Sequence, residues 1–304
     1  MTTFPQLLSL QELSPEQLQQ LLQLALQIKH QPALYQHALA GKSIALLFEK
    51  PSLRTRVSFD VGIHKLGGHS VYLDQQNGAM GKRETVEDFG RNLACWTDAI
   101  VARVYSQSTL EKLAASSGIP VVNALSDLYH PCQALADLLT LHETFGDLTQ
   151  VQLAFVGDGN NVCHSLMLGA ALAGMKLVVI TPPNHGPDGH VLQQAQAIAA
   201  KTGASLSLSH HLSEAHGSQA IYTDTWVSMG DSLDAAEQLR RFGDYQLSSA
   251  VLERLGIPYL MHCLPAHRGQ EVTSELLDSK AALVLQQAEN RMHAQNAVLV
   301  QLLA

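Results

Sequence analysis

Lys42-Ser43-Ile44-Ala45-Leu46-Leu47-Phe48-Glu49-Lys50-Pro51-Ser52-Leu53-Arg54-Thr55-Arg56 is the stretch whose reading decides the fold. The apolar run through Phe48 has the length of a buried strand, and Val57, Val61, Ile63 and Leu66 then recur at roughly helical spacing. The segment therefore predicts a strand that turns into a helix. A helix N-terminus carries unpaired N–H groups and the positive end of a dipole, so an oxyanion beside it is stabilised before any side chain contributes. Ser52 and Thr55 add hydroxyl donors, and Arg54 or Arg56 adds a bidentate fork. A solvated, arginine-rich helix start is the bland alternative. The coincidence of strand, proline, serine and Arg-Thr-Arg favours a phosphate site.

On either side of this junction the same alternation continues. A helix is predicted from Ser14-Pro15-Glu16-Gln17, with Ser14 as cap, Gln17 at the capping-box position and Leu18, Leu21, Leu22, Ala25 and Ile28 on one face. Strand-like runs follow near 43–48, 98–102 and 120–123, with helical patterns near 55–66, 84–96 and 108–117. A second series of strands falls near 151–156, 177–181, 205–208, 219–222 and 258–262, with the clearest helices at 162–174 and 189–202. Such alternation implies α/β architecture, with parallel sheets flanked by helices. In sheets of this kind, loops beyond the carboxyl ends of the strands carry the chemistry. No internal repeat, low-complexity tract or long linker interrupts the chain.

Composition sets limits. With 304 residues, 46% of them apolar, the chain can bury a large core, and its length favours two domains. A formal charge of -8 argues against nucleic acid as a partner, so a phosphate site here is a local concentration of Arg and His. There is no basic segment followed by an apolar core at the start, and no apolar run of membrane-spanning length, which leads us to expect a soluble, cytoplasmic protein. Cys95, Cys132, Cys163 and Cys263 lack zinc-ligand or disulfide spacing; the first three are expected in the core or a site wall.

Four further loops carry chemistry. Gly157-Asp158-Gly159-Asn160-Asn161 follows a strand and enters a helix, as a dinucleotide-binding turn does. A full fingerprint, however, needs a small residue where Val162 stands and an acid at the next strand end, where the chain reads Ile180-Thr181-Pro182. The paired asparagines suit an amino acid's polar groups, or they cap the helix. His130-Pro131-Cys132-Gln133 precedes a helix, and its proline fixes the backbone so that His130 and Gln133 are directional. Asp224, in Asp224-Thr225-Trp226-Val227-Ser228-Met229-Gly230, offers a carboxylate to an ammonium group or caps a turn. His262-Cys263-Leu264-Pro265 ends the last strand-like run with a thiol near histidines.

These five motifs, in this order, resemble the aspartate and ornithine carbamoyltransferase family, and the last two resemble its ornithine branch. The likeness runs from about residue 5 to the C-terminus. It implies a carbamoyl phosphate-binding domain at 1–131 completed by a C-terminal helix at 290–304, an ornithine-binding domain at 132–289, and an active site in the interdomain cleft. Carried onto this sequence, the resemblance gives carbamoyl phosphate to Ser52, Leu53, Arg54, Thr55, Arg103, His130, Gln133 and Arg291, with His130 at the carbamoyl oxygen and Gln133 at its amide nitrogen. It gives L-ornithine to Asn161, Asp224, Ser228 and Met229, and sets Cys263 and the Leu264 backbone around the carbamoyl group and the reacting amine. Arg54, Arg103, His130, Asp224 and Cys263 are the implied catalytic residues, in a δ-amine attack that uses no metal and no organic cofactor. An activated donor makes a thiol-bound intermediate unnecessary. A homotrimer is likewise implied by resemblance alone. One departure stands out: where many relatives have Gln or His two residues before the glycine of the 75–85 loop, this chain has Ala79, with Gln75, Gln76, Lys82 and Arg83 as substitutes. Putrescine or a modified ornithine as acceptor, a noncatalytic amino-acid-binding protein, and a nicotinamide-dependent oxidoreductase are the competing readings.

Overall fold

The computed structural model describes residues 4–74, 84–226 and 234–304. The chain divides into two compact units, Met1–Leu139 with Asn290–Ala304, and Thr140–Glu289. The expected boundary at 131/132 coincides with the start of a helix, Pro131–Phe145, and the division itself falls inside that helix.

Unit 1 begins with α1 (Pro15–His30), whose Ser14 and Gln17 form the reciprocal capping box and whose buried face contains Leu18, Leu21, Leu22, Leu24, Ala25 and Ile28. Then follow β1 (Ser43–Phe48), α2 (Leu53–Lys65), β2 (His69–Leu73), α3 (Val86–Ala94), β3 (Ala99–Arg103), α4 (Gln107–Ser117), β4 (Val121–Leu125) and α5 (Pro131–Phe145). The four strands are parallel in the order β2-β1-β3-β4. Strands β1 and β3 are buried almost end to end, as a parallel sheet covered on both faces requires.

Two expectations need correction here. The sequence reading missed β2, a half-exposed edge strand whose His69-Ser70 start lacks an apolar run. On α2 the buried face is Thr55, Phe59, Gly62 and Ile63, whereas Val57 and Val61 are 48% and 39% exposed beside Leu53 at 76%. The apolar residues of α2 thus lie on two faces, which spacing alone merged into one.

Unit 2 contains β5 (Gln152–Val156), α6 (Asn161–Leu172), β6 (Lys176–Ile180), α7 (Gly189–Thr202), β7 (Ser205–Ser209), β8 (Ala220–Thr223), α8 (Ala235–Phe242), α9 (Ser249–Leu255), β9 (Tyr259–His262) and α10 (Ser274–Leu277). Its parallel sheet runs β7-β6-β5-β8-β9. Helix α6 is buried from Val162 to Leu172, so it is a core element and not a surface helix. A last helix, α11 (Val284–Leu303), starts in unit 2 and ends in unit 1. In each sheet the strand order reverses beside a central strand, β1 in unit 1 and β5 in unit 2, and such switch points place the following loops at a crevice.

Candidate active site

In unit 1, register brings the candidate residues together. Phe48, the last residue of β1, pairs with Arg103, the last of β3, and the Glu49 N–H donates to the Arg103 carbonyl at 2.8 Å. The loop after β1 therefore starts beside Arg103. Ser52 caps α2, its Oγ accepting from the Thr55 N–H at 3.3 Å and donating to Thr55 Oγ1 at 3.0 Å. Thr55 is fully buried, and its Oγ1 also receives Arg291 Nη2 at 2.8 Å and Arg103 Nη1 at 3.5 Å. Two guanidinium groups and a hydroxyl thus converge on one neutral oxygen with two lone pairs, an arrangement that an anion would satisfy better. Arg291 arrives on α11, 236 residues along the chain from Thr55.

His130 sits just before α5, buried, with Nε2 3.2 Å from Arg291 Nη2. Because a guanidinium only donates, Nε2 accepts and the imidazole proton resides on Nδ1. Burial first, then the charges of Arg291 and Arg103, hold the His130 pKa well below the ordinary 6.5, so the ring is a neutral donor. Gln133 is buried in the first turn of α5 and donates its amide to Asp137. Arg54 lies half-buried on the first turn of α2, while Arg56 is exposed with its guanidinium 3.7 Å above the Tyr72 ring. Of the two arginines left open by the sequence, Arg56 is committed to that stacking contact. The Leu53 side chain is exposed, so only its backbone amide, at the α2 terminus, can serve an anion.

Unit 2 builds its site on three neighbouring strand ends. Val156 pairs with Thr223, and Thr223 pairs with His262, so the Gly157 turn, Asp224 and Cys263 emerge side by side. The Asp224 carboxylate is buried and accepts from three donors: the Thr225 N–H at 2.8 Å, Asn160 Nδ2 at 2.9 Å and the Cys263 thiol at 3.0 Å. Asn160 performs both roles left open above. Its Oδ1 caps α6 through the Val162 and Cys163 amides, and its Nδ2 holds Asp224. Asn161 is the first residue of α6. A Cβ at Gly159 would overlap the backbone of Gly186 and Pro187, so glycine is required by close approach at that position and not by phosphate contact.

Asp224, His262 and Cys263 place three metal-ligating atoms within 4.8 Å of one another. Both nitrogens of His262 are already committed, however: Nδ1 accepts from the Leu264 amide at 2.9 Å and Nε2 donates to buried Glu271 at 3.1 Å. A metal there would have to displace one of them. The same pair supports Leu264, whose φ of 57° is left-handed. Sequence reasoning missed Glu271 and Asp137; both partner nearby residues, His262 and Gln133, yet an acid at such spacing is ordinarily solvated, and only packing shows that these two are buried.

Ser228 and Met229, like the 75–83 loop with Ala79, lie outside the described residues. Of the remaining cysteines, Cys132 is buried with its pKa pushed up to about 12, chiefly by burial, and Cys163 is buried and raised well above 9.0 by burial and then by Asp158 and Asp224. Cys95 is exposed at the end of α3, contrary to the expected core or site-wall position, because Cys95 falls at the C-cap, beyond the packed turns. His185 is half-buried against Asp158 at 3.1 Å and edge-on to Phe242.

Residues 6–143 match the carbamoyl-P binding domain of aspartate/ornithine carbamoyltransferase, and residues 149–302 match its Asp/Orn binding domain. The chain belongs to the aspartate/ornithine carbamoyltransferase family. Within that family it is 58% identical over 295 residues to an ornithine carbamoyltransferase of Shewanella oneidensis, covering 97% of this chain and 98% of the relative. It is 54% identical to one of Moritella abyssi over 98% of this chain and 99% of the relative. Among solved structures, the ornithine carbamoyltransferase from Pyrococcus furiosus superposes with a TM-score of 0.95 at 41% identity, covering 100% of this chain and 99% of the other.

Proposed function

We infer that this chain is an ornithine carbamoyltransferase, transferring the carbamoyl group of carbamoyl phosphate to the δ-amine of L-ornithine to give L-citrulline and phosphate in arginine metabolism. The observation that carries the acceptor reading is Asp224, a buried carboxylate held by three donors beside Cys263. A carboxylate oriented in this way is the expected partner of an ammonium group, whereas aspartate as acceptor would call for a cation.

In this reading the α2 terminus, with Ser52, the Leu53 amide, Arg54 and Thr55, receives the phosphate. Arg103, His130 and Arg291 face the carbonyl oxygen, and Gln133 faces the carbamoyl amide. The amine attacks the carbamoyl carbon, negative charge develops on the oxygen, and phosphate departs. Preorganised cations and the neutral His130 Nδ1–H stabilise that charge without reorganising. An aliphatic amine of pKa about 10.4 is neutral in roughly one molecule per 10³ at pH 7, so its deprotonation costs about 4 to 5 kcal/mol. Asp224 and Cys263, hydrogen-bonded to each other, are the proton acceptors nearest the amine in this reading, and Asn161, Ser228, Met229 and the Leu264 backbone complete the ornithine site.

The reading extends to a cytoplasmic homotrimer. No helix among the described residues is long and apolar enough to cross a membrane. Leu53, Val57 and Val61 recur every four residues on the exposed side of α2, with Val71 exposed on edge strand β2, an apolar surface suited to another copy of the chain. Ureido-product formation from carbamoyl phosphate, with ornithine, putrescine, N-acetylornithine and aspartate in parallel, tests the function. Turnover with ornithine alone is expected. Turnover with another amine overturns the acceptor assignment, and none with any amine overturns the enzyme reading.

A further inference from the structure

Gln133 and Asp137 stand one turn apart on α5, 2% and 0% exposed, and Gln133 Nε2 donates to Asp137 Oδ1 at 2.8 Å. Rotating the amide by 180° would set its oxygen against a carboxylate oxygen, so Asp137 decides which end of the Gln133 amide faces the other way. That end is Oε1, buried and without a hydrogen-bond partner among the described residues. Buried acceptors are nearly always paired, and an orphan of this kind calls for a donor from outside the chain.

We propose that Asp137 is a positioning residue that turns the Gln133 carbonyl towards its ligand, so that the site selects a carbamoyl group, whose NH2 donates, over an acetyl group, whose methyl cannot. The inference rests on the carbamoyl phosphate reading above. A site built to accept a hydrogen bond rejects the isostere that lacks the donor, because its own buried group is then left unpaired. Asparagine at position 137 presents either its oxygen or its nitrogen to Gln133, so both amide orientations become available and discrimination falls.

The test compares wild type with Asp137→Asn, Gln133→Met and the double exchange Gln133→Glu with Asp137→Asn. Each is measured for kcat, for KM for carbamoyl phosphate at saturating ornithine, and for Ki of acetyl phosphate as competitive inhibitor. In Asp137→Asn and Gln133→Met the ratio of Ki to KM is expected to fall about tenfold, the scale of one hydrogen bond, mainly through KM. The double exchange conserves net charge and lets the new amide at position 137 donate to the new carboxylate at position 133, whose second oxygen again faces the ligand. It is expected to keep the wild-type ratio, and it remains measurable if the single variant does not fold. An unchanged ratio in Asp137→Asn, or a lowered one in the double exchange, overturns the proposal whatever happens to Tm. If wild type neither turns over carbamoyl phosphate nor is stabilised by it, the underlying reading fails instead.

Discussion

Replacing Asp224 by Asn isolates the acceptor site, because the geometry dictates what the new amide can satisfy. The carboxylate now accepts from the Thr225 N–H and the Cys263 thiol on one oxygen and from Asn160 Nδ2 on the other. An asparagine that keeps its oxygen towards Thr225 and Cys263 sets its NH2 against the Asn160 NH2. Asn160 cannot turn to relieve the clash, since its own oxygen caps α6 through Val162 and Cys163. One hydrogen bond to a charged group is therefore lost, about 1.5–3 kcal/mol. At about 2–4 °C per kcal/mol this lowers Tm by roughly 3–12 °C. In the proposed reading the ammonium of ornithine loses its buried counter-charge as well, on the order of 3–5 kcal/mol, or about 10²- to 10⁴-fold in kcat/KM for ornithine. Steady-state citrulline formation at saturating carbamoyl phosphate, with thermal unfolding of the same sample, reads both effects. KM for carbamoyl phosphate is expected to hold. A folded variant whose kcat/KM for ornithine drops less than tenfold would refute the ammonium role and leave Asp224 as a turn and helix-cap partner.

Arg54→Ala is expected to lower kcat by about 10²-fold or more even at saturating carbamoyl phosphate, in keeping with loss of a transition-state donor; an unchanged kcat would remove Arg54 from the chemistry. His130 is buried neutral, so below its ordinary pKa of 6.5 the unfolded chain binds a proton that the folded one does not, and stability falls as pH drops. Denaturant titrations between pH 7 and 5 should show this loss, at most about 1.4 kcal/mol per pH unit from this group. His130→Gln should flatten the slope by that amount, and an identical slope in the variant counts against a buried neutral ring. Val57→Glu, on the exposed apolar side of α2, is expected to shift the proposed trimer towards monomer in light scattering after size exclusion; a variant with the same mass as wild type would exonerate that face.

Much of the fold was legible because its signals are local. The capping box at Ser14 and Gln17, the apolar face of α1 and the β-then-α period around residues 43–66 each depend on residues within a few turns. The loops bearing the proposed site were legible for the same reason, as each follows a strand end. Edge strand β2 was not, since it is half-exposed and lacks a continuous apolar run. Nor was the division of α2 into a buried Thr55-Phe59-Ile63 face and an exposed Leu53-Val57-Val61 face, because both faces carry apolar residues.

By itself the sequence determined the α/β class, the order of the chemistry-bearing loops and the residue types in them. The tertiary structure alone decided which of those residues touch. Pairing of Phe48 with Arg103, and of Thr223 with both Val156 and His262, is fixed by sheet register, which sums weak contacts along whole strands and leaves no mark in any one segment. The same holds for Arg291, which reaches Thr55 across 236 residues of chain, and for Asn160, which caps a helix and holds Asp224 at once. Proximity of this kind is a property of packing, and a one-dimensional pattern does not contain it.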